Sequence, residues 1–352
     1  MSELKPNESV LFFPSVGHLV DGGETWRIAV SGVVLRPGRV GLRKRFLLRL
    51  LRRALKMPPG AIETDLFRRR ISGFLVGTKG KRQVSVRIGG QNYALQKSSK
   101  RNGQFAGVLH VDRREVARLQ RSHGHSDGWL AFELARPDGR PVYGRAHLIG
   151  ETGVTVVSDI DDTMKHTGTT SHRALLASTF LREFEPIDGM PDLYRRWAEQ
   201  GVAFHYVSSS PWQLYHSLAE LCGDDGFPPG TFHLRAFRLR DDMLLRMLMM
   251  RRRGKRKTIK HILRAFPGRR FVLVGDTAER DPELYGALAR RFPDRVAAIY
   301  LRNVRERRSK PERLHKALRG VPPDVWQVFD RADELPEQLP TGQSALDPAV
   351  GT

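Results

Sequence analysis

Cysteine is nearly absent from this sequence: Cys222 is the only one among 352 residues. A single cysteine can form neither a disulfide within the chain nor a cysteine-rich zinc site. Proteins that do without disulfides are typical of reducing compartments. We therefore expect a cytoplasmic protein.

Long hydrophobic runs are also missing. No stretch approaches the roughly 18 uninterrupted apolar residues that a membrane-spanning helix requires. The opening residues, Met-Ser-Glu-Leu-Lys-Pro, are polar and lack the apolar core of a signal peptide. We expect any contact with a membrane to be peripheral, on the inner face.

Acidic residues are too few to balance the basic ones. There are 60 Lys and Arg against 38 Asp and Glu, which gives a net charge of +22. An excess this large predicts a surface that favours a polyanion, either nucleic acid or an anionic bilayer. The charge by itself does not choose between these two partners.

The pattern of apolar residues changes near residue 150. Before it, short runs with period-two alternation are separated by turn residues, which predicts a mostly β accessory domain over residues 1–150. After it, near-continuous apolar strands alternate with helical stretches, which predicts an α/β domain with a parallel sheet over residues 151–336. Residues 337–352 are rich in Pro, Gly and Ala and predict a flexible tail.

One segment of the first domain departs from the β pattern. Residues 42–56 contain no glycine or proline and repeat apolar residues at helical spacing with basic residues between them, which predicts a basic amphipathic helix. Its apolar positions include Leu47, Leu50, Leu51 and Ala54, and its basic positions include Arg45, Arg49, Arg52, Arg53 and Lys56. Such a helix packs on its own domain, lies on an anionic membrane or binds nucleic acid, and the pattern leaves all three open.

Acidic residues follow two of the apolar strands in the second domain. Asp159 and Asp161 come directly after residues 154–157, and Asp276 and Asp281 follow a later strand. The carboxyl ends of parallel strands converge on one crevice, so these carboxylates are expected to meet. Carboxylates this close repel one another unless a cation or a proton intervenes. The alternative is a helix start with acidic residues in its first turn.

Hydroxyl and lysine side chains accompany the carboxylates. Thr163 closes the first acidic motif, and Ser208, Ser209 and Ser210 follow the second strand, where they are expected to open a helix and form an anion site. An ordinary helix cap is the alternative. Further along, the basic string 251–260 offers either Lys255 or Lys257 as a partner for a phosphoryl group.

The order of these motifs resembles that of the haloacid dehalogenase superfamily of phosphohydrolases. More narrowly, the strings Ser158-Asp-Ile-Asp-Asp-Thr, Tyr206-Val-Ser-Ser-Ser-Pro-Trp and Val274-Gly-Asp-Thr resemble the App1-type Mg-dependent phosphatidate phosphatases. The resemblance implies a Rossmannoid fold for residues 151–336. Thr163 and Ser208 are only 45 positions apart, so we expect no large cap domain over the site.

The resemblance also implies a role for each site residue. Asp159 would be the nucleophile and Asp161 the general acid and base, while Ser208 would hold a phosphoryl oxygen and Lys255 would neutralise its charge. Mg²⁺ would be held by Asp159, the Asp161 carbonyl and Asp276, with Asp281 close by. Lys255 is preferred over Lys257 because its spacing to Ile259 fits the family. The remaining candidates for substrate binding are Thr163, Ser209, Ser210 and Lys257.

Three functions compete on the sequence alone. The leading hypothesis is hydrolysis of phosphatidate, or a related lipid phosphate, to diacylglycerol at an anionic membrane surface. The second is the same chemistry on a nucleic-acid or protein phosphate, with the basic first domain holding the polyanion. Phe46 is the only aromatic residue between Arg39 and Lys56, so we expect no stable nucleic-acid partner. The third is a non-enzymatic basic module, which the intact acidic motifs disfavour.

Overall fold

The computed structural model describes residues 2–36, 38, 48, 49, 51, 53, 55, 64–122, 128–136, 138–167, 172–235, 254–304 and 311–340. These residues build two sheets, one mostly antiparallel and one parallel, with helices packed around them. The expected combination of a β-rich region followed by an α/β region is confirmed at this level. The domain boundary at residue 150 stays a prediction.

The first sheet is formed by short strands whose buried and less buried residues alternate. They are β1 (Ser9–Phe13), β2 (Ser15–Val20), β3 (Thr25–Arg36), β4 (Gly77–Thr78), β5 (Ser85–Ile88), β6 (Gln91–Ala94), β7 (Gln104–Asp112), β8 (Trp129–Leu134) and β9 (Tyr143–Leu148). The long strand β3 pairs antiparallel with β1, β2, β4 and β7, and β2 pairs parallel with β9. Three of the period-two runs seen in the sequence, residues 26–34, 83–88 and 128–134, coincide with β3, β5 and β8.

The second sheet is entirely parallel in its described pairings. Its strands are β10 (Gly153–Ser158), β11 (Ala203–Pro211), β12 (Thr231–Arg235), β13 (Arg269–Asp276), β14 (Val296–Arg302) and β15 (Trp326–Phe329), in the order β12-β11-β10-β13-β14-β15. The chain runs outward from β10 to β12 and then returns to β13 on the other side. Strand order therefore reverses between β10 and β13, the place where doubly wound sheets bind ligands.

Helices cover the parallel sheet, and two more accompany the first sheet in sequence. They are α1 (Asp65–Leu75), α2 (Arg113–Ser122), α3 (His172–Phe180), α4 (Met190–Glu199), α5 (Tyr215–Asp224), α6 (Gly254–Ala265), α7 (Asp281–Arg291) and α8 (Pro311–Leu318). Strand β10 is buried at every position but the first, as expected for a strand with helices on both faces. Between Thr163 and β11, the described residues contain only α3 and α4, so they include no cap domain.

Helix α1 packs on the parallel sheet although it lies in the N-terminal part of the chain. Phe67 and Phe74 belong to the same buried cluster as Phe180 of α3. A side chain on Gly73 would collide with the backbone carbonyl of Gln213, so glycine allows this close approach. Helix α1 therefore supports the α/β region.

The described positions of the predicted basic helix pack in the same place. Positions 48, 49, 51, 53 and 55 are helical, and the rest of residues 42–56 lies outside the described residues. Leu51 and Leu55 are buried in the cluster beside the parallel sheet. Packing on the β domain, one of the three alternatives, is therefore wrong for Leu51. Leu51 is also not available for insertion into a bilayer.

The start of the predicted flexible tail is attached to the fold, contrary to the expectation for residues 337–340. The indole N–H of Trp197 donates to the carbonyl of Pro336, and the side chain of Gln200 donates to the carbonyl of Glu337. Leu339 is buried. These contacts attach the start of the predicted tail to α4, and residues 341–352 lie outside the described residues.

The two sheets meet through aromatic side chains. Phe13 at the end of β1 packs against Tyr215 with ring centroids 5.3 Å apart, and His18 on β2 lies 5.3 Å from the ring of Phe266.

Within the described ranges, no helix has both the length and the hydropathy to cross a bilayer.

Candidate active site

Three carboxylates meet at the carboxyl edge of the parallel sheet. Asp159 follows β10, Asp276 ends β13 and Asp281 begins α7. All three are buried, and one carboxylate oxygen of each lies within 4.8 Å of the others. They meet because β10 and β13 are adjacent and in register, with Ser158 opposite Val274.

The loop after β13 fixes two of these carboxylates. Asp276 Oδ1 accepts the backbone N–H groups of Ala278 and Glu279, each at 2.7 Å. Gly275 lets Asp281 lie against the strand, because a Cβ at residue 275 would collide with Asp281 Oδ2. The glycine of the Gly-Asp motif is therefore required for the position of Asp281.

Lys255 reaches into the carboxylate cluster from the first turn of α6. Its Nζ lies 3.0 Å from Asp159 Oδ1 and 2.5 Å from Asp281 Oδ1. Burial disfavours the charged ammonium, but the carboxylates of Asp159 and Asp281 outweigh it, and the pKa of Lys255 is raised well above its usual value. The lysine therefore stays protonated at neutral pH.

Lys257 lies elsewhere. Its side chain is exposed and borders a basic depression on the outer side of α6, together with residues that include Lys260 and Arg264. Of the two lysines that the sequence left open, the structure brings Lys255 to the carboxylates and leaves Lys257 on the surface.

The acidic cluster carries more negative charge than one lysine balances. Burial is the largest cause that raises the pKa of Asp159 well above its usual value; Lys255 opposes the shift, and the neighbouring carboxylates add to it. Burial and the charge of Asp281 likewise raise the pKa of Asp276. Among the described residues, Oδ2 of Asp159 and Oδ2 of Asp276 are buried without a hydrogen-bond partner. This donor set fits a hard cation, which prefers oxygen ligands.

Both carboxylate oxygens of Asp161 make polar contacts. Its Oδ2 accepts hydrogen bonds from Ser208 Oγ at 3.1 Å and Ser210 Oγ at 2.9 Å. Its Oδ1 lies 2.8 Å from Lys165 Nζ and accepts from Thr167 Oγ1 at 3.0 Å. Sequence reasoning missed Lys165 and Thr167, although Lys165 stands four residues after Asp161.

The turn that follows Asp161 is set by local backbone geometry. Asp162 adopts φ 55°, a left-handed conformation that Asp and Asn tolerate better than most residues. Its carbonyl accepts a hydrogen bond from Arg302 at 2.9 Å, and its side chain accepts the N–H of Thr167 at 2.9 Å. Thr163 is fully buried, and its Oγ1 has no hydrogen-bond partner among the described residues.

The serine cluster differs from the expected helix start. Ser208, Ser209 and Ser210 all lie within β11, which continues to Pro211, and α5 begins only at Tyr215 after a short 3₁₀ turn. The predicted anion site at a helix N-terminus is therefore wrong. Ser208 and Ser210 instead direct their hydroxyl groups to Asp161, and Ser209 is partly exposed.

A cavity of about 540 Å³ reaches the cluster at Lys255 and Asp281. Its walls are mostly charged and include Arg256, Arg280 and Arg313. Leu284 and two alanines are its only apolar lining residues among the described ones. The cavity therefore suits a polar, anionic group better than a hydrocarbon chain.

The fold and the cluster define the class of this region: a doubly wound α/β domain with a buried acidic centre at its switch point. Residues 154–303 match the family model described as Phosphatidate phosphatase APP1, catalytic domain. The resemblance to App1-type phosphatidate phosphatases is therefore confirmed for residues 154–303.

Two curated proteins are similar to part of this chain. Phosphatidate phosphatase APP1 of Saccharomyces cerevisiae is 35% identical over 176 residues, which covers 46% of this chain and 29% of the yeast protein. An uncharacterized protein of Schizosaccharomyces pombe, C29B5.04c, is 30% identical over 161 residues, covering 45% of this chain and 26% of its own length. The chain thus covers less than a third of either relative.

A solved structure of a β-glucuronidase from Parabacteroides merdae aligns with 85% of this chain and 34% of its own length, with 11% identity and a TM-score of 0.25. That likeness is too low to carry an argument about fold or function.

Proposed function

We propose that this protein is a Mg²⁺-dependent phosphatase that hydrolyses phosphatidate, or a closely related lipid phosphate, to diacylglycerol and phosphate. The observation that carries the proposal is the buried contact of Lys255 with Asp159 and Asp281, inside the region that matches the App1 catalytic family. A structural ion pair needs only one carboxylate, whereas phosphoryl transfer needs a nucleophile, a cation site and a fixed positive charge.

The topology supports a haloacid dehalogenase-like fold for residues 151–336. The proposed nucleophile follows the central strand β10, the hydroxyl cluster ends β11, and the second acidic residue ends β13. These three strands are neighbours in the sheet, so their ends surround one crevice. The shortness of the described chain between β10 and β11 fits a site without a large cap.

Mg²⁺ is the cation that the donor set favours. The unpartnered Oδ2 atoms of Asp159 and Asp276, with Asp281 beside them, would hold it, and the family resemblance adds the carbonyl of Asp161. When bound, the ion screens the negative charges of the carboxylate and the phosphate. The single cysteine and the lack of imidazole in the cluster disfavour a softer metal.

In the first step, Asp159 acts as the nucleophile and Lys255 neutralises negative charge. A carboxylate oxygen of Asp159 attacks phosphorus, and the bond from phosphorus to the lipid oxygen breaks, so that the phosphoryl group is carried on Asp159. The ammonium of Lys255 already lies beside that carboxylate and stays charged, so it can neutralise the equatorial phosphoryl oxygens. Ser208, whose hydroxyl group donates to Asp161 without substrate, would redirect that proton to a phosphoryl oxygen when substrate binds.

Asp161 supplies the proton transfers. It gives a proton to the departing alkoxide in the first step, and it takes one from the water that attacks the phosphoryl group in the second. The four groups that contact its two oxygens fix the carboxyl group in one orientation. The second step releases phosphate and restores Asp159.

The walls of the site support a substrate whose apolar part stays outside. The cavity at Lys255 is polar and charged, so it suits a phosphate headgroup. Acyl chains would remain in the bilayer, which makes peripheral contact with an anionic membrane part of the proposed function. Small soluble phosphoesters are expected to be poor substrates, because they are not presented on a membrane surface to which the protein can bind.

The experiment that tests this function is phosphate release from a panel of substrates with and without EDTA. The panel contains phosphatidate in mixed micelles, a phosphorylated oligonucleotide, a phosphopeptide and a sugar phosphate. We expect phosphatidate to be hydrolysed fastest, at a rate that rises with its surface fraction, and EDTA to abolish release. Faster hydrolysis of any of the other three, or a rate that EDTA does not change, would contradict the proposal.

A further inference from the structure

Helix α6 presents two different faces. Ile259, Ile262 and Leu263 are buried against the parallel sheet, and Lys255 points to the same side because it is four residues before Ile259. The outward side carries basic residues, His261 and small residues in its described part. One helix thus holds the lysine of the candidate site on its inner face and a row of cations on its outer face.

We define the basic face by five cations: Arg256, Lys257, Lys260 and Arg264 of α6, and Arg291 at the end of α7. The four residues of α6 fall within about 100° of the helix circumference, since each residue turns the helix by about 100°. None of the five has an ion-pair partner among the residues that the structure describes.

The cations of the basic face are close enough to repel one another. Desolvation and the charges of Arg256, Arg291 and Arg264 lower the pKa of Lys260. A depression of about 440 Å³ on this face is lined, among the described residues, by His261 and by the four cations of α6 and by no acidic residue. An uncompensated cluster of like charges costs stability and is relieved only when an anionic partner covers it.

The basic face is continuous with the candidate site. Arg256 lines both the depression and the cavity that reaches Lys255 and Asp281. A partner that covers the basic face would therefore also lie at the mouth of that cavity. If the partner is a bilayer, its headgroups and the phosphoryl-transfer site become neighbours.

We propose that the basic face is the surface by which this protein docks on an anionic bilayer, so that a phosphate headgroup can enter the cavity beside Lys255. The proposal rests on the proposed function as a lipid phosphatase, and it places the docking surface on α6 and α7. A bilayer presents a plane of mobile phosphates, which suits a broad row of cations.

The chemistry of the basic face favours a bilayer over single-stranded nucleic acid. Its outward residues on α6 include no Phe, Tyr or Trp on which a base could stack. Long Lys and Arg side chains can also reach headgroups while their helix stays packed on the protein. This fits α6, whose apolar residues are already buried.

The test compares two triple variants of the full chain that lose the same charge. The first is Lys260→Gln, Arg264→Gln and Arg291→Gln, which leaves Lys257 and the cavity residue Arg256 unchanged. The matched control is Lys97→Gln, Lys100→Gln and Arg101→Gln, three exposed basic residues of the β-rich region. Co-sedimentation is measured with phosphatidylcholine vesicles that contain phosphatidylglycerol, and turnover is measured with soluble nitrophenyl phosphate.

Each basic residue near an anionic surface adds about 1 kcal/mol, so the first variant should lose roughly 100-fold in vesicle binding. The control should bind like the wild type, and soluble turnover should be the same in all three. Equal binding by the two variants, or equal loss in both, would overturn the docking surface. The proposal would also be overturned if the wild type bound a duplex oligonucleotide more tightly than it binds the vesicles at physiological salt.

These outcomes separate the docking surface from the proposed reaction. Selective loss of vesicle binding in the first variant supports the basic face even if the wild type fails to release phosphate from phosphatidate in micelles. In that case only the proposed function fails. If the wild type hydrolyses phosphatidate and the first variant still binds vesicles normally, only the docking surface fails.

Discussion

Lys255 Nζ lies 3.0 Å from Asp159 Oδ1 and 2.5 Å from Asp281 Oδ1, although Lys255 lies on α6, Asp159 follows β10 and Asp281 begins α7. The contact joins a positive charge to the carboxylate that would attack phosphorus. In a phosphatase, the same lysine would hold the phosphoryl group in place as the nucleophile reacts. This geometry makes Lys255 the most informative position to vary first.

Replacing Lys255 with Met should lower turnover of soluble nitrophenyl phosphate by about 100- to 1,000-fold, the effect of removing one fixed charge from a phosphoryl-transfer site. The matched control is Lys257→Met, two residues along the same helix. Because Lys257 is exposed, its replacement should leave turnover of soluble nitrophenyl phosphate within about twofold, a change well below 1 kcal/mol. Steady-state rates for both variants check this, and equal losses would contradict the placement of Lys255.

Asp276 should reduce stability in the absence of metal. Burial and the charge of Asp281 raise the pKa of Asp276, so its carboxyl group holds a proton more tightly in the folded state than in the unfolded state. The free energy of unfolding of the metal-free protein therefore decreases as the pH rises from the usual carboxyl pKa toward the raised pKa. Asp276→Asn should therefore stabilise the metal-free protein at neutral pH by about 1–3 kcal/mol.

The same variant should lose its response to Mg²⁺. Thermal melts of wild type and Asp276→Asn, each with EDTA and with Mg²⁺, make the comparison. The wild type should gain melting temperature on addition of Mg²⁺, and the variant should gain little. A variant that is less stable than the wild type in EDTA, yet gains as much from Mg²⁺, would remove Asp276 from the cation site.

Gly275→Ala should disable the site through Asp281. The added Cβ would collide with Asp281 Oδ2 and the ring of Tyr285, and it would push Asp281 away from Lys255. A misplacement of about 1 Å can cost about 100-fold in rate, and we expect a loss of that order. Gly223→Ala in α5 is the control, since nothing lies within 4 Å of its Cβ and alanine favours the helix. Unchanged activity in Gly275→Ala would contradict the required close contact.

Acidification should weaken the fold near the contact between the two sheets. Burial lowers the pKa of His205 well below its usual value and that of His233 to about 4. Because the unfolded chain binds protons near pH 6.5 and these folded side chains do not, stability is lost as pH falls from about 6.5 toward 4.

Denaturant unfolding at pH 7 and pH 5 measures this loss. His233 keeps part of its surface exposed, so its own contribution should be roughly 1–2 kcal/mol rather than the full linkage value. In His233→Gln the decrease between the two pH values should be smaller by that amount. A decrease as large as in the wild type would show that other groups cause it.

The acidic centre was predictable because its residues stand at the ends of strongly apolar strands. The runs before Asp159 and Asp276 can only be buried strands, and adjacent parallel strands bring their carboxyl ends together. The preference for Lys255 came from the family resemblance, and the structure gives its physical reason: Lys255 is four residues before the buried Ile259 and so shares its helix face. The local sequence pattern was therefore enough to predict the position of a side chain wherever a regular helix or strand sets its direction.

Other features depend on contacts that no local pattern encodes. Lys165 and Thr167 reach Asp161 only because the chain turns back after Asp162, whose φ is 55°. Leu51 is one of the apolar positions of the predicted amphipathic helix, and it is buried beside the parallel sheet together with Leu55. The helix period showed that the apolar positions share a face, but it contained no information about which sheet that face covers.

The most direct test of the central claim is phosphate release from phosphatidate by Asp159→Asn beside Asp162→Asn, in mixed micelles with Mg²⁺. Asp162→Asn is a suitable control because an Asn side chain can accept the same hydrogen bond from the N–H of Thr167 and tolerates the left-handed backbone. The account predicts at least about a 1,000-fold loss in Asp159→Asn, since the nucleophile is gone, and near wild-type rates in Asp162→Asn. If Asp159→Asn keeps more than about a hundredth of the wild-type rate, its carboxylate is not the group that attacks phosphorus.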